Sequence, residues 1–151
     1  MESTFKIWET TRKILLGYLE KYSLEQLNTL PDGFSNNLIW NIGHVIAVQQ
    51  RLVYMGSGLP LNIPMELFDQ YKPGTKPSTA DSRETVETLK NLLLSLMYKT
   101  KIDYANGIFV TYKEFTTSTG FHIASIQDAL EFNNYHEGLH IGFMMNIRKF
   151  I

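Results

Sequence analysis

Four long stretches of the chain repeat apolar residues at helical intervals, and this periodicity constrains the fold more than any other feature. The stretches cover approximately residues 3–22, 37–54, 82–103 and 125–151. Each has apolar residues three or four positions apart, which places them on one helical face that must be buried against other helices. We therefore predict an all-α fold, with one domain over residues 1–151.

Polar residues with short side chains precede the predicted helices and are candidate N-caps, because their oxygens can accept hydrogen bonds from the free N–H groups of a first helical turn. The candidates are Ser3 or Thr4 for the first helix, Ser35 or Asn36 for the second, Thr79, Asp81 or Ser82 for the third, and Ser125 for the fourth, where Asp128 has capping-box spacing.

Two long connections separate the predicted helices. Residues 56–80 contain four of the five prolines, so no long helix can run through them. Their embedded Met65, Leu67, Phe68 and Tyr71 predict an ordered segment that packs onto the body. Residues 106–121 are rich in β-branched and aromatic residues and predict a short strand or hairpin. Connections of this length favour a four-helix bundle with long crossover loops over a simple up-down-up-down series.

Composition excludes several classes of protein. The chain has no cysteine, which removes disulfides, thiolate metal ligands and a cysteine nucleophile. Its formal net charge is −1, without the basic patch expected of a protein that binds nucleic acid. No stretch is apolar for long enough to be a signal peptide or a membrane span. We predict a cytoplasmic protein that binds neither nucleic acid nor a membrane.

The histidines form the most informative chemical pattern. His136 and His140 are four residues apart, so one face of a helix presents both imidazoles. With Glu137 they form the string HExxH, in which two histidines hold zinc and the glutamate activates water. No His, Asp or Glu follows His140, so a third ligand must come from upstream. His44, in the middle of the second predicted helix, is the candidate, whereas His122 is predicted to be a loop histidine outside the site.

Three further residues are candidates for catalytic or binding roles. Glu137 could be a general base, or it could be a solvated or supporting carboxylate. Asn133 lies one turn before His136 and could bind water or substrate. Arg51 follows His44 by seven residues, nearly in line with it, and could bind an anion. Trp40 is predicted to be a core wall beside His44. An aromatic and methionine stripe is predicted to be core: Phe143, Met144, Met145 and Ile147.

The combination Trp40-x-x-x-His44 and His136-x-x-x-His140 resembles the DinB-like (YfiT-type) metal-binding four-helix bundles. The resemblance extends over the whole chain. It implies a divalent metal, nickel or zinc, held by His44, His136 and His140, and a homodimer. Several branches of that family are thiol S-transferases or isomerases that use bacillithiol, mycothiol or glutathione.

Three functional hypotheses follow. The first is a metal-dependent thiol S-transferase for a small-molecule substrate, with a low-molecular-weight thiol as cosubstrate because the chain itself has no thiol. The second is a metal-dependent hydrolase in which Glu137 is the base. The third is a bundle that binds a metal or small ligand without catalysis. The metal site is common to the first and third hypotheses, so the sequence does not separate them.

Overall fold

The computed structural model describes all residues from Met1 to Ile151. It contains six helices and one two-stranded antiparallel hairpin. The elements are α1 (Glu2–Lys21), α2 (Leu24–Asn28), α3 (Leu38–Gln50), α4 (Met65–Tyr71), α5 (Arg83–Ala105), β1 (Phe115–Thr116), β2 (His122–Ile123) and α6 (Ile126–Ile147). A π-helical turn, Arg51–Met55, directly continues α3. The predicted all-α fold is confirmed.

The four long helices pack side by side in the spatial order α1, α5, α3, α6. Helices α1 and α3 each pack against both α5 and α6, while α1 and α3 contact each other less. Since α1 and α3 are consecutive long helices, the bundle is not a simple up-down-up-down series, as the long connections predicted. None of the helices combines the length and the apolar character that crossing a membrane requires.

Helix α3 forms the centre of the bundle. All of its residues from Leu38 to Gln50 are buried, because neighbouring elements cover it on every side. One apolar cluster packs around it with Leu15 of α1, Leu93 of α5 and Met144 of α6. Any polar side chain on this helix therefore lies in the protein interior, where it needs a partner.

Two of the predicted caps are wrong. Helix α1 begins at Glu2 with no side-chain cap, so neither Ser3 nor Thr4 precedes it. The cap of α3 is Asn37, whose side chain accepts a hydrogen bond from the Trp40 N–H at 2.9 Å. Asn37 has the extended backbone that an N-cap requires, and neither Ser35 nor Asn36 takes that role.

The cap predicted for the last helix is confirmed. The Ser125 hydroxyl accepts from the Asp128 N–H at 3.1 Å, and the Asp128 carboxylate accepts from the Ala124 N–H at 3.0 Å. These bonds satisfy donors that a helix start leaves free. They fix the residue at which α6 begins, and with it the angular position of every later residue on that helix.

The 56–80 crossover is ordered and packs onto the bundle, as its apolar residues predicted, and it contains the unpredicted helix α4. Phe68 and Tyr71 of α4 are buried. The Tyr71 ring lies against Gly43 of α3, where an added Cβ would be 2.5 Å from the ring. Glycine at position 43 therefore permits the close approach of α4 to α3.

The predicted core stripe near the C-terminus is half wrong. Met144 and Ile147 are fully buried, but Phe143 is 55% exposed and Met145 is 46% exposed. Consecutive residues on a helix differ by about 100° in direction, so adjacent apolar residues cannot all face the same core. Phe143 instead continues an exposed apolar stripe on α6 with Tyr135 and Leu139.

The predicted hairpin is present but lies towards the C-terminal end of residues 106–121 and extends beyond them. Phe115 pairs with Ile123, and Thr116 pairs with His122. The connecting turn places Gly120 at a φ of 91°, which glycine adopts without steric cost. The hairpin leads directly into α6.

Candidate metal centre

Three histidines converge between α3 and α6. His44 lies in the middle of α3, and His136 and His140 lie one turn apart on α6. One nitrogen of each imidazole lies within 4.8 Å of the corresponding nitrogens of the other two. The structure thus brings together the three histidines that the sequence analysis selected, and they are positioned to hold a metal ion.

Hydrogen bonds orient two of the three rings. The Nδ1–H of His44 donates to the Tyr71 carbonyl at 2.7 Å, and the Nδ1–H of His140 donates to Asn41 Oδ1 at 2.7 Å. The Asn41 amide nitrogen donates to the Asn37 carbonyl at 2.6 Å, which turns its oxygen towards His140. With Nδ1 protonated, Nε2 of His44 and of His140 keeps a free lone pair, as a metal ligand requires.

His136 completes the site in a different way. Its Nε2 lies 3.2 Å from Nε2 of His140. Two nitrogens bound to one tetrahedral ion at 2.0–2.1 Å would be roughly 3.3 Å apart, so this spacing suits a shared ion. Nδ1 of His136 is buried without a partner. Three imidazoles with this spacing and orientation fit a divalent metal ion.

The surroundings keep the three imidazoles neutral. Burial lowers the pKa of His136 to about 2, helped by the nearby His140, His44 and Arg12. Burial and the nearby His44 lower the pKa of His140 to about 3. Burial also lowers the pKa of His44, although its bond to the Tyr71 carbonyl opposes that shift. Neutral imidazole is the form that binds metals.

Trp40 forms one wall of the site. Its ring stacks on the His44 ring with a centroid separation of 4.6 Å and an interplanar angle of 16°. Trp40 is only 7% exposed, so it belongs to the core as predicted and also fixes the plane of His44.

A cavity of about 360 Å³ reaches two of the histidines. The cavity is bounded by α3 and the π-helical turn, by Pro73 just after α4, by β1 and the turn that follows it, and by α6. The lining residues are His44, Val48, Arg51, Leu52, Pro73, Phe115, Thr116, Thr117, Ser118, Thr119, Phe132, Tyr135, His136 and Leu139. Arg51 is therefore beside the site, as its spacing from His44 predicted.

Glu137 faces away from this cavity. Its carboxylate is fully buried and accepts hydrogen bonds from Arg12 at 2.8 Å, Trp8 at 2.7 Å and Asn133 at 2.8 Å. Burial raises the pKa of the Glu137 carboxyl, while Arg12 and the other donors oppose that shift. Glu137 is not solvated, and its carboxylate joins α6 to α1 in a closed ion pair.

Two other candidates lie outside the cavity wall. Asn133 is buried and donates to Glu137, so it belongs to the ion-pair cluster. His122 is exposed in β2, with its Nε2 3.6 Å from a Glu114 carboxylate oxygen, and does not join the other histidines.

Sequence reasoning missed the two residues that orient the ligands, Asn41 and Tyr71, and the hydroxyl-rich hairpin turn. Asn41 left a detectable signal, because it is a polar residue three positions before His44 on a helix that is mostly apolar. The role of the Tyr71 carbonyl left no signal in the sequence, since every residue type has a carbonyl oxygen.

Comparison with known proteins agrees with this geometry. A family model described as the DinB superfamily matches residues 7–144. This match includes most of each of the four long helices and includes His44, His136 and His140. A search of curated proteins found no match. Since the family match covers most of the chain, this protein belongs to the DinB superfamily.

Proposed function

We propose that this protein is a metal-dependent thiol S-transferase that uses a low-molecular-weight thiol as cosubstrate. The observation that carries the proposal is the set of three neutral histidines beside a mostly apolar cavity. The chain has no cysteine, so a reacting thiol must enter with a small molecule.

The chain's own residues would hold and orient the reactants. His44, His136 and His140 would hold a divalent ion, nickel or zinc, because imidazole nitrogen suits both metals. The chemistry such an ion supplies is to lower the pKa of a coordinated thiol, which favours the thiolate near neutral pH. Val48, Leu52 and the other apolar wall residues would exclude water from the electrophile and position it next to the sulfur.

The hydrolase hypothesis is less well supported. A hydrolase of the HExxH type needs a carboxylate that can take a proton from water beside the ion. Glu137 does not line the cavity, and its carboxylate is already paired with Arg12. A non-catalytic bundle is also less favoured, because the cavity gives a small molecule access to His44 and His136.

We further propose that the protein forms a homodimer through α6. The support, beyond the family resemblance, is the exposed apolar stripe of Tyr135, Leu139 and Phe143. Because Tyr135 and Leu139 also line the cavity, a second copy on this stripe would shield the cavity from water. Sedimentation should show a dimer for the parent and a monomer for Phe143→Glu, and a monomeric parent would contradict the proposal.

Metal content tests the basis of the proposed function. Elemental mass spectrometry on untagged protein should find near-stoichiometric nickel or zinc in the parent and little in His44→Ala or His140→Ala. His122→Ala is the matched control, because His122 is exposed and is not one of the converging histidines, and it should retain the metal. A parent that neither contains nor takes up zinc or nickel would refute the proposal.

Activity tests the reaction itself. The metal-loaded parent should conjugate bacillithiol, mycothiol or glutathione to at least one member of a panel of electrophiles. The rate should fall to the uncatalysed level after chelation and recover when metal is restored. Absence of metal-dependent conjugation with all three thiols would reject the S-transferase and leave a metal-binding bundle.

A further inference from the structure

We infer that the cavity beside the histidines binds an elongated carboxylate ligand, with the carboxylate at Arg51 and an apolar body between Arg51 and the histidines. This inference extends the proposed function. It rests on that function only for the end of the ligand that lies nearest the histidines. The anion site at Arg51 has its own support in the charge and shape of the cavity wall.

Arg51 is the only Lys, Arg, Asp or Glu among the residues that line the cavity. Every ion pair within the chain involves other residues, so the Arg51 guanidinium has no carboxylate partner. Arg51 lines the cavity and is an exposed residue. An anionic group that enters the cavity would therefore meet one unneutralised cation and no competing carboxylate.

The position of Arg51 sets the length of the ligand. Arg51 follows His44 by seven residues, so both lie on nearly the same side of α3, about 10 Å apart along the helix axis. Val48 lies between them, and Leu52, Phe132 and Leu139 complete an apolar section of the wall. A molecule that reaches both ends must be elongated and apolar in its middle.

The hairpin turn contributes neutral hydrogen-bonding groups. Four consecutive hydroxyl residues, Thr116 to Thr119, line the cavity. The turn is held in shape by its own bonds, since the Thr117 hydroxyl accepts from the Phe121 N–H at 3.0 Å. Hydroxyl groups can donate to carboxylate oxygens without adding charge.

These features favour a carboxylate over a phosphate. The planar fork of a guanidinium can bond two oxygens of a carboxylate or of a phosphate, so charge decides, and one guanidinium matches a single negative charge. A phosphate dianion would need additional cations, and no lysine lines the cavity. The cavity volume of about 360 Å³ is at the small end of the range for ligand sites, so the ligand is a small molecule.

A pair of matched probes tests the inference in metal-free protein. The probes are 5-phenylpentanoate and 5-phenylpentan-1-ol, which share an apolar body and differ in charge at one end. Binding of each is measured by calorimetry in the presence of chelator for the parent, Arg51→Gln and Arg83→Gln. Arg83 is the matched control, an exposed arginine that does not line the cavity.

We expect the parent to bind the carboxylate about fivefold more tightly than the alcohol, from a partly exposed ion pair. This preference should disappear in Arg51→Gln and persist in Arg83→Gln. Equal binding of the two probes by the parent, no binding of either, or a preference that survives in Arg51→Gln or is lost in Arg83→Gln would overturn the inference.

The design keeps this inference separate from the proposed function. The probes have no thiol and the protein has no metal in this experiment, so the result does not depend on S-transfer. If the Arg51-dependent preference is found but no thiol is conjugated by the loaded protein, the anion site stands and the transferase is rejected. If thiol conjugation is found without the Arg51-dependent preference, the transferase stands and the anion site is rejected.

Discussion

Helix α6 carries two polar clusters on neighbouring faces, and their difference explains how one helix provides both structure and chemistry. His136 and His140 face α3 beside an open cavity. Glu137 and Asn133 face α1, where Arg12 and Trp8 close the cluster. Both clusters look alike in sequence, since each consists of polar residues on an apolar helix. Only the histidine cluster borders a cavity that a ligand can enter, so only that cluster can bind a ligand.

The two clusters also differ in how far their polar atoms are satisfied. The Glu137 carboxylate has all its partners within the chain, which fixes α6 against α1. Outside the triad, the histidines have partners on Nδ1 of His44 and His140 only, and one nitrogen of each ring lies within 4.8 Å of the others. The closed cluster holds α6 in position, whereas the open cluster has ring nitrogens that can bind a ligand.

The largest expected effect comes from breaking the closed cluster. Arg12→Leu would leave the Glu137 carboxylate buried without its cation, and we expect a loss of about 3–5 kcal/mol in the free energy of unfolding. Urea denaturation measures this loss. The control is Lys13→Leu, which removes an exposed charge paired with Glu9 and should change stability by only about 0.5 kcal/mol.

The double variant Arg12→Leu with Glu137→Leu sharpens the same test. Replacement of both charges by apolar groups removes the uncompensated carboxylate, so it should recover part of the lost stability. The recovery is partial because Trp8 and Asn133 lose their buried acceptor. A single variant as stable as the parent would show that the ion pair does not hold α6 in place.

Gly43→Ala is the second test, and it acts on the open cluster. A Cβ at this position would lie 2.5 Å from the Tyr71 ring, so α4 must shift and the His44–Tyr71 bond must weaken. We expect a loss of about 1–3 kcal/mol in unfolding free energy, measured by urea denaturation, together with weaker zinc binding.

The control for this variant is Gly17→Ala on α1. No atom lies within 4 Å of the position of its added Cβ, so the variant should be more stable by about 0.5–1 kcal/mol because alanine favours a helix. Unchanged stability and zinc affinity in Gly43→Ala would show that contact between α4 and α3 does not orient His44.

Asn41→Ala tests how far the open cluster depends on its supporting residues. Loss of the acceptor for His140 Nδ1–H should lower zinc affinity about 10–100-fold, measured by competition with a chelating dye. Asn146→Ala, on the exposed side of α6, should bind zinc as the parent does. Equal affinities in both variants would remove Asn41 from the site.

Counted per histidine and per pH unit, the smallest effect is the pH dependence of the metal-free protein. Because the pKa values of His136 and His140 are lowered to about 2 and about 3, the unfolded chain binds protons below pH 6.5 that the folded protein does not. Stability should therefore fall as pH decreases from about 6.5 towards 3, by up to about 1.4 kcal/mol per pH unit for each histidine.

Urea denaturation with chelator at pH 7.5, 6 and 5 measures this slope. His136→Gln should reduce the slope by its share. If the change of stability with pH stays the same when His136 is replaced, the pH dependence does not come from this histidine cluster.

Much of this architecture depends on local sequence. Helical periodicity and the Ser125–Asp128 cap are properties of neighbouring residues, so the four long helices were predictable to within a few residues. The pairing of His136 with His140 was predictable for the same reason, because four residues make about one turn. The errors at Phe143 and Met145 came from composition, which says how apolar a segment is but not which face is covered.

The sequence by itself therefore determined the helices, the absence of any thiol, and two histidines on one helical face. Only the tertiary structure decided that His44 joins them, that Asn41 and the Tyr71 carbonyl orient the ligands, and that Glu137 pairs with Arg12 on the neighbouring face of the helix. The physical reason is that helix formation depends on residues within a few positions, whereas these contacts join residues up to 125 positions apart, through the packing of four helices around a buried α3.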